Sequence, residues 1–394
     1  MTQRLYYTDA YTTAFAATVT AAGDENGRPW VTLDRTAFYP TSGGQPFDTG
    51  RLGDASVVDV VDREDGEIAH VLDRPLVMGA AVRGEIDWTR RFDHMQQHTG
   101  QHVLSAAFDQ LFQARTISFH LGTDACTIDL DKVVAAERIQ TAEAEANRIV
   151  WEDRPVDVRF ATPEEAARLP LRKEPQREGL LRLVEIADAD MSACGGTHVA
   201  RTGAVGIIAV SAWEKFRGGL RVEFLCGSRA LARFRTLGDA VAGSIRTLSV
   251  APEELPDAIA RAQAENKDLR RVMRGLTEQL AVHEAARLVA EAATVGGVKL
   301  VAGSFDGWDA AGLKALATAV ASHPGAVAVC LSAAPPLLAA VARSADTTID
   351  AASLLKDLIA RFGGKGGGKA ELAQGGGLAA EPAAVLAAVR ERLS

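Results

Sequence analysis

His98-Thr99-Gly100-Gln101-His102 and, about a hundred residues later, Cys194-Gly195-Gly196-Thr197-His198 decide how this chain is read. Helical residues four apart share a face, so the first pentapeptide can present two imidazoles to one ion. The second encloses two glycines, which suits a tight loop that turns its ligands inward. One cysteine and three histidines suit a single Zn2+ per chain, held by His98, His102, Cys194 and His198. Four protein ligands would saturate a tetrahedral ion. Either one is loose, or the ion becomes five-coordinate, or the metal mainly shapes a substrate pocket.

Around these pairs the pattern predicts a helix over 90–112, a hairpin over 116–120 and 125–130, and a second helix over 133–150. Strands follow at 156–160, 181–186, 205–210 and 220–225, giving an α+β zinc-binding domain over 90–235. His94, one turn before His98, is a substitute ligand or a support for one. His70 and His120 suit structural roles, and Cys126, Cys226 and Cys330 read as buried small residues.

Upstream, residues 1–89 carry short strands at 30–33, 56–61, 68–72 and 82–88 between turn signals, which predicts a small β-barrel. Its compact motif runs from Thr36 to Asp48. Gly43 and Gly44 let backbone approach a ligand, Gln45 offers a donor and an acceptor, and Phe38 and Tyr39 either stack on a base or cap the core.

Downstream, 236–292 reads as a helical arm broken near 249–256. Ile259, Ala262, Asn266, Leu269, Met273, Leu276 and Leu280 follow heptad spacing, the seam of a coiled coil or of a helical hairpin within one chain. Residues 293–394 read as an α/β domain with a glycine-rich loop, Gly363-Gly364-Lys365-Gly366-Gly367-Gly368-Lys369, whose amides and lysines could cradle phosphate. It lacks the Gly-Lys-Ser/Thr ending of a Walker A loop, so ATP hydrolysis is not supported.

Composition narrows the class. A chain of 394 residues with 47% hydrophobic side chains suits two or three globular domains. No apolar run is long enough to span a membrane, and the start lacks a secretory signal. Four scattered cysteines fit a reducing cytoplasm. The net charge of −8 argues against coating nucleic acid indiscriminately, yet local basic clusters can suffice. Arg90-Arg91, Arg172-Lys173 with Arg177 and Arg182, Lys215 with Arg217 and Arg221, and Arg229, Arg233 and Arg235 are such clusters, each equally readable as solvated surface.

Taken in order, these motifs resemble alanyl-tRNA editing proteins. Phe38-Tyr39-Pro40 leading to Gly43-Gly44-Gln45-Pro46, with Asp48 and Gly50, is similar to that family's glycine motif. The two ligand pentapeptides resemble its zinc signature, and Thr202-Gly203-Ala204-Val205-Gly206 fits as well. The tail, with Ala373-Gln374 and its glycines, resembles the C-terminal domain of alanyl-tRNA synthetase. The likeness is to the long free-standing form, although Ser42 stands where a third glycine is common.

The resemblance implies zinc-dependent hydrolysis, in trans, of the ester joining serine or glycine to alanine tRNA. It makes His98, His102, Cys194 and His198 the metal ligands. It also suggests Thr116 as the group that meets the serine hydroxyl, with Arg115 and Ser118 as alternatives. Gly43, Gly44, Gln45 and Gln101 complete the expected substrate contacts, and Lys365, Lys369 and Arg217 the expected tRNA contacts. The expected partners are mischarged alanine tRNA and a second copy joined through the arm or the C-terminal domain, with no membrane. Two alternatives stand beside this. One is a non-catalytic tRNA-binding protein with structural zinc. The other is a relative of alanyl-tRNA synthetase lacking the aminoacylation domain, since the chain opens on the barrel.

Overall fold

Twelve residues whose side chains alternate in burial, Ala14–Glu25, form the longest strand (β1) of the N-terminal barrel. Phe15, Ala17 and Val19 point inward while Ala14, Ala16 and Thr18 face out, the period-two pattern of a half-buried strand. The alanines have weak strand propensity, which hid this element from the sequence reading. With β2 (Arg28–Leu33), β3 (Gly50–Leu52), β4 (Ala55–Asp62), β5 (Ile68–Leu72) and β6 (Ala81–Ile86) it closes a barrel of order β1-β2-β5-β4-β3-β6. The expected barrel is therefore present. Its core is Val19, Val31, Leu33, Phe38, Leu52, Val60 and Ile68, so Phe38 fills the barrel and is not open to a base.

The computed structural model describes residues 1–172 and 179–394, so Lys173 and Arg177 lie outside the described residues. It divides into two compact units, Met1–Gly243 and Ser244–Ser394. After the barrel, α1 (Trp88–Phe112) starts at Asp87, whose carboxylate accepts from the Arg90 amide, and ends at Gln113 in the left-handed conformation. Nearly every residue from Arg91 to Phe108 is buried. A helix enclosed on all sides carries no simple amphipathic stripe.

Against α1 lie a four-stranded sheet and a three-stranded sheet. The first comprises β7 (Thr116–Leu121), β8 (Cys126–Leu130), β12 (Ile208–Phe216) and β13 (Gly219–Cys226), in the order β12-β13-β8-β7. The second comprises β9 (Val156–Ala161), β10 (Leu181–Ile186) and β11 (Asp190–Ala193), with α2 (Ala136–Trp151) between β8 and β9 in sequence. The strand expected over 205–210 instead begins at Ile208, because Thr202–Val205 forms a 3-10 turn.

Helix α3 (Gly227–Leu248) is followed by α4 (Leu255–Glu291). Only the C-terminal part of α4 joins a core, through Ala281, Ala285 and Val289. Leu269, Met273, Leu276 and Leu280 of the heptad seam are each more than half exposed. The second unit continues with β14 (Ala293–Val295), β15 (Val298–Phe305), α5 (Ala310–Ala321), β16 (Ala326–Ser332) and β17 (Leu337–Arg343), then α6 (Ala351–Phe362), β18 (Lys365–Gly368), β19 (Leu372–Leu378) and α7 (Pro382–Leu393). Its sheet order is β14-β15-β16-β17-β19-β18. The glycine block is thus no free loop: Lys365–Gly368 is an edge strand paired with β19. Among the described residues no helix is long and apolar enough to cross a membrane.

Candidate metal centre

Two turns of α1 and the loop after β11 converge in the first unit. One ligand atom each from His98, His102, Cys194 and His198 lies within 4.8 Å of the others. Cys194 Sγ is 3.4 Å from His98 Nε2 and 3.3 Å from His198 Nε2. Tetrahedral zinc with ordinary Zn–S and Zn–N bonds sets such atoms about 3.5 Å apart, so the donor set fits the ion in type and spacing.

Each imidazole is oriented by a partner on its other nitrogen. His98 Nδ1 donates to Gln45 Oε1 at 2.8 Å, His102 Nδ1 meets Asp190 Oδ2 at 2.8 Å, and His198 Nδ1 lies 3.1 Å from Thr99 Oγ1. The acceptor oxygens of Gln45 and Asp190 hold the proton on Nδ1 of His98 and His102, which leaves Nε2 as the lone-pair donor toward the shared point, the usual support of a metal-bound histidine. Arg172 holds Asp190 in turn, at 2.6 Å.

The cysteine loop is shaped for close approach. A Cβ on Gly196 would come within 2.1 Å of His98 Cε1, so only glycine fits there. Arg182, 8% exposed, donates to the carbonyls of Cys194, Gly196 and Tyr7, bracing the loop from outside.

Electrostatics follow from this packing. Burial opposes a charged Cys194, yet the neighbouring His98 and His198 outweigh it and hold the thiol well below its ordinary range. Burial also opposes charge on His102, but its hydrogen bond to Asp190, aided by Cys194, raises it to about 9. His198 is pushed down to about 3, chiefly by burial and then by His98. One thiolate beside imidazoles of unequal basicity is a site poised for a cation.

The other expected residues divide. Gln45 is fully buried. Its Oε1 also accepts from the Thr197 amide at 3.1 Å and its Nε2 donates to Thr197 Oγ1 at 2.8 Å, so it clamps the two ligand segments rather than facing a substrate. Gly43 and Gly44 lie exposed at the loop tip, where a Cβ on Gly44 would strike the Phe119 ring at 2.9 Å. Phe119 in turn sits 5.7 Å, ring to ring, from His98. Gln101 is buried and Thr116 half-buried, and both hydrogen-bond Ser105. Arg217, in the first unit, and Lys365 and Lys369, in the second, are exposed. His94 lies outside the four-ligand group.

Sequence reasoning missed Asp190, Thr99 and Ser105, and read Arg182 only as part of a basic cluster. A signal for Asp190 existed: Asp190, Ser192 and Cys194 alternate along a strand and so share a face. Several basic clusters also turn inward. Arg91 is fully buried on Asp48, whose carboxylate also accepts from the Tyr39 amide, and Arg229 pairs with Asp93. Cys126, Cys226 and Cys330 are buried as expected, and burial pushes the thiols of Cys126 and Cys330 up to about 12.

Comparison with known proteins agrees with this architecture. Residues 3–90 match the family of class II (A) tRNA synthetases, residues 181–223 the second additional domain of threonyl and alanyl tRNA synthetases, and residues 297–394 the DHHA1 domain. The alanine–tRNA ligase of Pyrococcus abyssi is 33% identical over 95% of this chain, which spans 42% of the ligase. A crystal structure of the C-Ala domain of Aquifex aeolicus alanyl-tRNA synthetase is 25% identical over 26% of this chain and 97% of its own, with a TM-score of 0.25. The alanyl-tRNA editing protein AlaX-L of Pyrococcus horikoshii is 32% identical and aligns over 95% of this chain and 94% of its own. With the likeness running through barrel, ligand segments and tail alike, the chain belongs to the long-form alanyl-tRNA editing proteins.

Proposed function

We propose that this protein is a zinc-dependent aminoacyl-tRNA deacylase of the cytoplasm, releasing serine or glycine wrongly esterified to alanine tRNA. The observation that carries this reading is the cluster of His98, His102, Cys194 and His198, with a separate orienting partner on each imidazole. A Zn2+ ion held by these four would supply Lewis acidity toward an ester carbonyl or a water once one ligand loosens or the ion becomes five-coordinate. Gln45, Asp190 and Thr99 hold the three imidazoles by their Nδ1 atoms, so that their Nε2 atoms would be free to hold the ion. Phe119 walls the centre beside His98, and Thr116 and Gln101 stand ready for the aminoacyl group. An aminoacyl ester is labile, so positioning and charge stabilisation suffice.

The barrel (1–89), metal domain (90–235), arm (236–292) and tail (293–394) then divide the work. The tail meets tRNA through Lys365 and Lys369 on the glycine hairpin, where Lys314 joins Lys369 along a shallow cleft, while Arg217 meets it from the first unit. The exposed seam of α4 supports pairing of two copies through the arm. Sedimentation should find a dimer that Leu269→Glu with Leu276→Glu dissociates.

The decisive test is release of serine and glycine from mischarged alanine tRNA by metal-loaded protein, compared with Cys194→Ala. We expect turnover that the variant loses while keeping tRNA affinity. Tight tRNA binding without hydrolysis by the metal-loaded protein would establish the non-catalytic reading instead.

A further inference from the structure

Gln101 Oε1 is one of three buried side-chain polar atoms without a hydrogen-bond partner among the described residues. An unpaired buried carbonyl is costly, so one beside a candidate site marks a place kept for a ligand. Gln101 follows His98 by three positions and precedes Ser105 by four, which puts all three on one stripe of α1.

The same amide is tied at its other end. Gln101 Nε2 donates to Ser105 Oγ at 2.8 Å. From the edge strand β7, Thr116 Oγ1 donates to that same Ser105 oxygen at 2.7 Å. Ser105 is fully buried, and its single oxygen accepts both bonds. Two consequences follow. Thr116 has spent its only proton, so its hydroxyl can meet a ligand only as an acceptor. The Gln101 amide is turned nitrogen-inward, so what it offers is a carbonyl. Helix and strand thus present two acceptors, the Gln101 carbonyl and the Thr116 hydroxyl oxygen.

We infer that Ser105 is a positioning residue that makes this subsite donor-seeking, and that the group it selects is the side-chain hydroxyl of an esterified serine. The inference rests on the deacylase reading above and deepens it. A serine hydroxyl donates into the paired acceptors, whereas glycine and alanine bring no side-chain donor. Alanine adds a methyl against polar atoms that stay unpaired, which is the stronger route to rejecting a near-isostere. Serine is therefore preferred over glycine, and the preference depends on a residue that never touches the substrate.

The test compares wild type with Ser105→Ala on seryl- and glycyl-esterified alanine tRNA, with metal content checked in each preparation. Losing the tie should lower kcat/KM for the seryl ester about tenfold, the worth of one hydrogen bond, and leave the glycyl ester within about twofold. Combining it with Thr116→Val should add little to Thr116→Val alone, because the two act as a unit. Equal losses on both esters, or strictly additive losses in the double variant, overturn the inference. If Ser105→Ala does not fold, Ser105→Cys keeps the volume with a weak acceptor and should show the same selective loss at smaller size. Should wild type hydrolyse neither ester, the deacylase reading alone fails. Affinity for non-hydrolysable serine and glycine amides of 3′-amino-3′-deoxyadenosine then decides: a serine preference that Ser105→Ala removes upholds the inference, and equal affinities refute it.

Discussion

The two units of this chain bury different things. In Met1–Gly243 the interior holds Gln45, Asp48, Arg91, Gln97, Asp190 and four of the protein's histidines besides His70, nearly all hydrogen-bonded. In Ser244–Ser394 the interior is valine, leucine and alanine with Cys330, and Ser344 is its one buried polar residue among the described residues. Burying polar groups costs free energy unless each finds a partner, so an interior like that of the first unit persists where chemistry requires it. The second unit carries no such burden. Whatever it contributes must come from its surface, where lysines flank a strand made of glycine.

Breaking the first unit's centre is the sharpest test of that contrast. Cys194→Ser or His102→Ala should remove bound metal and lower deacylation by more than about a hundredfold, measured as metal content and ester hydrolysis together. Arg91→Leu strands Asp48 in the interior and should cost about 3–5 kcal/mol in denaturant unfolding, as expected for half of a buried ion pair. Gln45→Ala releases His98 and Thr197, and metal affinity should fall about 10- to 100-fold by competition with a chelator.

A smaller effect separates a structural histidine from the ligands. His70 is wholly buried in the barrel between Thr36 and Val31, and burial lowers it to about 4. The unfolded chain, with a histidine near 6.5, binds that proton more readily in between. Its share of stability is complete above about pH 6.5 and is lost as pH falls toward 4. His70→Phe should flatten this decline by about 3 kcal/mol in pH-dependent unfolding. Least of all, Lys365→Ala or Lys369→Ala should weaken tRNA binding about two- to threefold and lessen its salt dependence, leaving metal content untouched.

Legibility differed between the units for the same reason. Short motifs with local geometry stood out: two ligand pentapeptides, a Gly-Gly-Gln turn and a run of turn-punctuated strands. The 12-residue strand Ala14–Glu25 did not, because its signal lies in alternation and not in strand-favouring residues. The glycine block was misread as a loop, since glycine has little strand propensity and only pairing with Leu372–Leu378 makes Lys365–Gly368 extended. Gln45 was expected to face a substrate. Its amide chemistry was legible, but not the direction in which the folded loop aims it.

From its residues alone this chain declares which atoms can bind a cation, because ligand type and helical spacing are local properties. Only the tertiary structure decides that Gln45, Asp190 and Thr99 each hold one imidazole, and that Ser105 ties a helix to a strand. The first three contacts join segments more than fifty residues apart, and the last joins a helix to the strand that follows it. Both are settled by packing and not by spacing along the chain.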